Sequence, residues 1–215
     1  TIPQQLAKLL FTLQQRQREE IARASGTRLE LPYVGGILGK FRRVSEKARE
    51  NIIAKRLEER FTKEEIITMY LNQFDFLYNA VGIENASRVY FNKSPKDLSK
   101  SEAATLVGLC KNPTIYNPYS YQIRNYRAKI AENKGIALSA VTKDEILVAR
   151  AKDSTTAHSR RNQVLFQWLK NSEKGNEALR TKITREEYNK LIQTPIVIRY
   201  RSLDHKEGMA PYFIK

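Results

Sequence analysis

Apolar side chains recur along most of this 215-residue chain at the three- and four-residue spacing of amphipathic helices. Leu6, Leu9, Leu10 and Leu13 share one side of a helix predicted over 3–21. Gly26, Pro32, Gly35, Gly36 and Gly39 then break the pattern, so 25–40 reads as a loop or hairpin, with a short β element at 29–34. A second helix is predicted over 44–60. Thr62 with Glu65 forms a capping box that opens a third, running through Ile66, Ile67, Tyr70 and Leu71. Gly82 opens a short helix with Ile83, Ala86 and Tyr90 on one side, and Ser99 with Glu102 forms a second capping box before a helix ending near Lys111. Pro113 and Pro118 mark a loop. Helices follow at 124–134, 142–151 and 158–171, the last with Val164, Leu165, Trp168 and Leu169 as its core face. Thr184 and Glu187 form a third capping box, and the partial alternation over 195–201 predicts a short strand. The pattern is that of an all-α protein with at most short β elements. It contains no internal repeat, and no apolar run of about 18 residues that would span a membrane.

The helix over 44–60 has an unusual wheel. At about 100° per residue, Arg49, Lys55, Arg56, Glu59 and Arg60 share a solvated side, and Ile53, Ala54, Leu57 and Phe61 share the other. Glu50 falls in the middle of the apolar arc, with Lys47 at its edge one turn earlier. Ile52 falls on the charged side, which suggests contact from two directions. A carboxylate centred on a buried face costs several kcal/mol unless it is paired or lines a cleft. Two readings stay open on the wheel alone: a structural ion pair, or an active-site carboxylate in a desolvated setting.

Charge narrows the partners. Lys and Arg number 38 against 23 Asp and Glu, a net +15. That excess attracts nucleic acid, an acidic membrane surface or a phosphorylated substrate, and does not choose among them. The lone Cys110 excludes an intrachain disulfide, and its flanks Leu106, Val107 and Leu109 mark it as a small buried hydrophobe. Two His and one Cys do not furnish a zinc site.

Motifs narrow the reading further. Lys47-Ala48-Arg49-Glu50 is followed by Phe61-Thr62-Lys63-Glu64-Glu65-Ile66-Ile67 and Tyr70-Leu71-Asn72. The order and spacing resemble the K-x-x-E and I-L-x-x-Y-L-N motifs of glycosyltransferase family 51, the peptidoglycan glycosyltransferase domain of class A penicillin-binding proteins. Thr1 to Lys8 (TIPQQLAK) is similar to that family's S-T-x-x-Q-Q-L-A-K. Gly82-Ile83-Glu84 with Ala86-Ser87 and Tyr90-Phe91-Asn92-Lys93 is similar to G-I-x-x-A-A-x-x-Y-F-G-K. Glu102-Ala103-Ala104, Leu106 to Leu109, Pro113 and Tyr116 to Pro118 resemble E-A-A-x-L-A-G…P-x-x-Y-x-P, and Arg160-Arg161-Asn162 with Val164-Leu165 resembles R-R-N-x-V-L. The run is most like Bacteroides-type versions.

The resemblance implies a lysozyme-like all-α fold, with 1–203 a partial glycosyltransferase domain and 204–215 a linker towards a transpeptidase domain. It implies an inverting transfer that joins the growing glycan's reducing-end sugar to the 4-hydroxyl of lipid II and releases the lipid pyrophosphate. The implied partners are lipid II, the glycan strand, a membrane surface and phosphoglycolipid inhibitors of the moenomycin type, without nucleic acid. The implied location is the extracytoplasmic face of the inner membrane, anchored by an N-terminal helix. Glu50 and Lys47 are the expected catalytic pair; Gln4, Gln5, Lys8, Arg42, Arg43, Arg49, Tyr70 and Asn72 are the expected substrate-binding residues. No cofactor or protein-held metal is implied; a divalent cation travelling with the pyrophosphate stays open. The family's first glutamate, its general base, belongs to a motif upstream of Thr1. The expectation is therefore that this chain alone polymerises no lipid II while the full-length protein does.

Elementary chemistry agrees with those residue types. A departing pyrophosphate needs fixed positive charge, and glutamine amides hold sugar or phosphate oxygens. Three departures stand out: Glu46 occupies the place of an arginine, Asn92 that of a glycine, a place Asn tolerates at positive φ, and 12–40 is longer than the family's spacing. An alternative is a basic helical module binding nucleic acid, with Tyr116, Tyr119, Tyr121 and Tyr126 interleaved with Arg124 and Arg127 as a stacking platform.

Overall fold

The computed structural model describes residues 1–12, 37–177 and 179–201. Among them every named element is a helix, and the only β pairing is a single bridge between Asp75 and Val81. The all-α expectation holds. The strand expected over 195–201 is absent as an element. That segment instead runs extended, its Arg199 and Arg201 amides donating to the carbonyls of Tyr90 and Val89 at 2.8 and 2.9 Å. It satisfies the end of a helix rather than a neighbouring strand. The β element expected at 29–34, the linker at 204–215 and most of the 12–40 segment lie outside the described residues.

The chain divides into two compact units, Thr1–Phe74 and Asp75–Lys215. The first holds α1 (Ile2–Ala7), which passes into a π-helical turn at Lys8–Thr12, then α2 (Ile37–Arg60) and α3 (Lys63–Gln73). Its buried side chains are Leu6 and Ala7 from α1, Glu50 and Ala54 from α2, and Ile66 and Tyr70 from α3. The predicted capping box at Thr62 and Glu65 is present in both directions. Helix α2 begins earlier than the glycines of the preceding stretch suggested, taking Gly39 into its first turn.

The second unit is built around α9 (Lys143–Glu173), 31 residues long. α4 (Ile83–Phe91) packs on α5 (Lys100–Leu109), and α5, α6 (Pro113–Tyr116), α7 (Pro118–Ile123), α8 (Tyr126–Lys134) and α10 (Arg185–Gln193) pack on α9. The two helices expected at 142–151 and 158–171 are therefore one. The Ser/Thr-rich joint between them stays helical, with polar side chains satisfied on the helix's own carbonyls. Thr155 and Thr156 hydroxyls donate to the Ala151 and Lys152 carbonyls at 2.9 and 3.0 Å. The prolines expected in a loop instead open α6 and α7, where a missing N–H costs nothing. Asn112 and Asn117 cap those two turns. The core cluster is Ala104, Leu165, Leu169 and Ile183, with Val164 and Trp168 packed against it as the helical pattern foretold.

Several motif residues of this unit hold the fold. Lys93 donates to both oxygens of Glu102 at 2.9 Å, joining the Y-F-N-K turn to the start of α5. Asn117 donates to the Tyr90 hydroxyl at 2.7 Å and to the Phe76 carbonyl at 3.3 Å. Tyr90 donates in turn to the Phe76 carbonyl at 2.7 Å, and burial pushes its phenol well above the ordinary range. Asn92 takes the left-handed position after α4 at φ 54°, a conformation Asn tolerates. Leu77, Tyr78 and Asn79 are also left-handed, three in a row, and no sequence signal announced them.

Candidate functional site

Glu50 sits at mid-length on α2 and is 3% exposed. Its Oε2 accepts the Lys47 ammonium at 2.7 Å, one turn back. The lysine side chain is 67% exposed while that of the glutamate is 4% exposed. The carboxylate is thus sunk into the unit, and the cation it holds stands in solvent. The helical wheel predicted this geometry, since Glu50 centres the apolar arc and Lys47 lies at its edge. Ala54, one turn further, is buried beside it; Ile52 lies on the opposite side as the wheel placed it but is 56% exposed, so the second contact expected there is not found among the described residues.

Helix α1 meets this stretch of α2. Gln4 donates its amide to the Asn51 side chain at 2.7 Å, and its carbonyl accepts from the Thr1 nitrogen at 2.7 Å. Gln4 is thereby fixed next to the Lys47–Glu50 turn by a residue, Asn51, that the sequence had not singled out. The adjacent leucine and alanine, Leu6 and Ala7, are fully buried and lock α1 in place. Lys8 begins the π-helical turn, and such departures from regular helix redirect side chains.

The remaining expected residues are less tightly built in. The side chains of Gln5, Lys8, Arg43, Arg49 and Asn72 make no hydrogen bond or ion pair among the described residues. Gln5, Arg43, Arg49 and Asn72 are exposed and Lys8 is half-buried. Arg42 lies in α2, with its side chain outside the described set. Tyr70 is buried, its ring 5.4 Å from that of Phe74, so it packs α3 rather than standing open to solvent. The structure therefore brings together Lys47 with Glu50, and Gln4 with Asn51.

A separate apolar cavity of about 380 Å³ lies in the same unit, walled by Ile2, Pro3, Phe61, Ile66 and Ile67 with Glu58 and Lys63. It contains none of the expected site residues. Among the described residues, no cluster of three His, Cys, Asp or Glu side chains is placed to hold a metal ion. No helix among them is long and apolar enough to cross a membrane. Cys110 is half-buried, and burial pushes its thiol up to about 12, which makes it inert at neutral pH.

The tyrosines of the nucleic-acid alternative do not form an open platform. Tyr119 stacks on Tyr200 at 3.8 Å and 8°, and meets Tyr78 edge-on at 5.0 Å. Tyr126 is buried and donates to Asp153 at 3.1 Å. These rings pack the second unit, while the Tyr121 side chain lies outside the described set.

Comparison with known proteins bears on the whole pattern. The chain is similar to Penicillin-binding protein 2a of Streptococcus pneumoniae, 36% identical over 115 residues, which are 53% of this chain and 16% of the relative. It is similar to Penicillin-binding protein 1F of Bacillus subtilis, 43% identical over 79 residues, 37% of this chain and 11% of the relative. It is also similar to Penicillin-binding protein 1A of Vibrio cholerae, 34% identical over 116 residues, 54% of this chain and 14% of the relative. The matched stretch is thus a small part of each relative's length. The family model described as Transglycosylase matches residues 1–141, which takes in α1 to α8 and every expected site residue. The chain belongs to the Transglycosylase family.

Proposed function

We propose that the protein is an inverting peptidoglycan glycosyltransferase that polymerises lipid II, and that the Lys47–Glu50 turn binds the pyrophosphate leaving group. The observation that carries the assignment is a buried carboxylate bonded at 2.7 Å to an exposed ammonium. In the reaction, the 4-hydroxyl of one disaccharide attacks the anomeric carbon of the growing strand. The new C–O bond forms as the bond to the pyrophosphate breaks, and the hydroxyl proton passes to a base. Negative charge grows on the departing phosphate oxygen, and a fixed cation there lowers the barrier. Lys47 supplies that cation. Glu50 is a positioning residue: it holds the ammonium at one point of its range. Gln4, held by Asn51, offers its turn of α1 to sugar or phosphate oxygens, with Gln5 and Lys8 following on the same strand of sequence. Exposed Arg43 and Arg49 add to the field that draws an anionic lipid substrate at a membrane surface. The same cations would serve a phosphoglycolipid inhibitor, and a divalent ion would enter with the pyrophosphate rather than on a protein site.

The test is glycan formation from labelled lipid II by the intact protein. Lys47→Ala is expected to lower kcat/KM about 10²-fold, the scale of losing one preorganised charge-stabilising donor. It is also expected to weaken a phosphoglycolipid inhibitor by about 1.5–3 kcal/mol. Lys47→Arg should retain part of the activity. Full activity and unchanged inhibitor affinity in Lys47→Ala would remove this turn from the site.

A further inference from the structure

The second unit carries a polar cavity of about 440 Å³ whose residues have no part in the site described above. One wall is a stripe of α9: Lys152, Thr155, Thr156, Ser159, Arg160 and Gln163. Tyr116 of α6 closes the other side. The spacing of three and four places these side chains on one helix face. No carboxylate lines the cavity, and neither Lys152 nor Arg160 is in an ion pair among the described residues.

Arg160 is held in position by neutral groups. Its Nε donates to the Gly108 carbonyl at 3.3 Å, its Nη1 donates to the Gln163 side chain at 3.2 Å, and its guanidinium lies 5.8 Å from the centre of the Tyr116 ring. Gly108 is part of the arrangement: a Cβ there would stand 3.3 Å from Arg160 Cγ. Lys111 lies over the same tyrosine ring at 5.7 Å, bringing a third cation to the rim. With Oε1 of Gln163 taken by Arg160, its amide is left as a donor. A guanidinium fixed in this way, without a carboxylate to neutralise it, is preorganised for an external oxyanion.

The opposite chemistry is present beside it. Thr155 and Thr156 spend their protons on helix carbonyls, so their oxygens face outward as acceptors. A bare phosphate offers no donor to them. A peptide ending in a carboxylate offers both an oxyanion and N–H groups. The wall has no aliphatic side chain, so it lacks the apolar insertion that usually accompanies cations at a membrane surface.

We propose that this cavity binds the carboxylate end of the peptide stem carried by the glycan precursor or by the nascent strand. Arg160 takes the carboxylate, with Lys152 beside it, and the threonine oxygens receive the stem's amide protons. The inference rests on the proposed reaction, whose substrate carries such a stem, but it concerns a different unit and different residues.

The probe is a lipid-free disaccharide-pentapeptide without pyrophosphate, titrated into the chain while the side-chain resonances of Arg160 and Gln163 are followed. Saturable shifts at both are expected. A probe ending in a carboxamide should bind about tenfold more weakly, as should the normal probe to Arg160→Lys, which keeps the charge and loses the fork. Lys152→Ala, at an exposed position that cannot compromise folding, should weaken binding about threefold. The idea is overturned by absent shifts, by equal affinity for the carboxamide, or by inorganic phosphate displacing the probe at equal concentration. Arg160-dependent binding to phosphatidylglycerol vesicles with no binding of the pentapeptide would make this a membrane contact instead. Should the stem fail to bind while glycan synthesis still depends on Lys47, this inference alone falls. Should the stem bind while Lys47 proves dispensable, the site assigned in the first unit falls and this cavity stands.

Discussion

Among the described residues each unit buries one ionisable side chain on a long helix, and the two are handled in opposite ways. Arg161 of α9 is completely enclosed. Its Nη1 donates to Ser101 at 3.1 Å and to the Thr194 carbonyl at 2.6 Å; its Nη2 donates to the Ile192 carbonyl at 3.1 Å and to Asn162 at 2.9 Å. Those carbonyls are among the last of α10, which lack partners within their own helix. Glu50 of α2 is as deeply placed, but it holds an ammonium that stands in water. A buried charge whose bonds all end on its own unit's interior fastens elements together. A buried charge that fixes an exposed opposite charge prepares a surface for a ligand. Burial by itself does not separate the two; where the partner stands does.

The largest effect that would break this contrast belongs to Arg161. Arg161→Met removes the donors to two helix-end carbonyls and Ser101, leaving buried acceptors unsatisfied at about 1–3 kcal/mol each. Burial also pulls this guanidinium below its ordinary pKa, a sign of how little water reaches it. The expected loss is about 3–5 kcal/mol in urea unfolding. A loss under about 1 kcal/mol would mean that the arginine is a passenger in the core.

Glu50→Gln sharpens the contrast from the other side. Gln keeps the shape and hydrogen-bonding groups of the side chain and the lysine partner can return to water, so the stability loss should be smaller than that of Arg161→Met. Glycan synthesis should fall at least about tenfold, because the freed ammonium loses its fixed place. A variant as unstable as Arg161→Met, with activity lost only in proportion to the folded fraction, would make Glu50 structural. That would restore the ion-pair reading which the helical wheel alone left open.

How far these roles could be read in advance differs between the units. On α2 the apolar arc was explicit, so the depth of Glu50 followed from side-chain order alone, whereas Ile52, expected in a second contact, is exposed. The burial of Arg161 did not. It sits in a run, Arg160-Arg161-Asn162, where only one of two identical neighbours is enclosed, and its partners Ser101, Ile192 and Thr194 are remote in sequence. Asn51 escaped notice for a similar reason: its value comes from Gln4, 47 positions away. Helix starts were legible wherever a Ser or Thr preceded a Glu by three residues, as at Thr62 and Ser99, because the signal and the bond are both local. The break expected near Lys152–Ala157 failed because the Thr155 and Thr156 hydroxyls are satisfied on the helix's own carbonyls, so a polar composition there does not mark a break. The left-handed run Leu77–Asn79 was invisible because it contains no glycine.

Asn162→Ala tests the joint more gently. Asn162 accepts from Nε and Nη2 of Arg161 at 3.0 and 2.9 Å, orienting the fork towards α10. Two neutral-acceptor bonds to a charged donor are lost while the carbonyl bonds survive. A cost of about 1–2 kcal/mol is expected from thermal unfolding, below that of Arg161→Met. Equality of the two variants would show that the asparagine, not the arginine's reach to α10, sets the joint.

The smallest effect comes from an exposed pair, which should behave like neither buried charge. At the start of α9, Glu145 accepts from the Lys134 ammonium and from the backbone N–H and hydroxyl of Thr142. The lysine is the largest influence, followed by the Thr142 N–H, and together they lower the carboxyl to about 2. A carboxyl whose pKa is lower folded than unfolded binds its proton more readily in the unfolded chain. Its contribution is therefore complete above the ordinary carboxylate range, and it is lost as pH falls from about 4.5 to about 2. Glu145→Gln should then be less stable than the parent at neutral pH, by a small amount because solvent screens the pair. The gap should close across that window, since protonated Glu and Gln offer nearly the same groups. Raised salt should narrow it at neutral pH, whereas the Arg161→Met loss should not respond to salt, having no carboxylate partner to screen. Acid and salt series on the two variants, followed by helical circular dichroism, decide the matter. A gap at Glu145 that persists below pH 2, or one that widens on acidification, would show that the capping carboxyl acts through packing rather than charge.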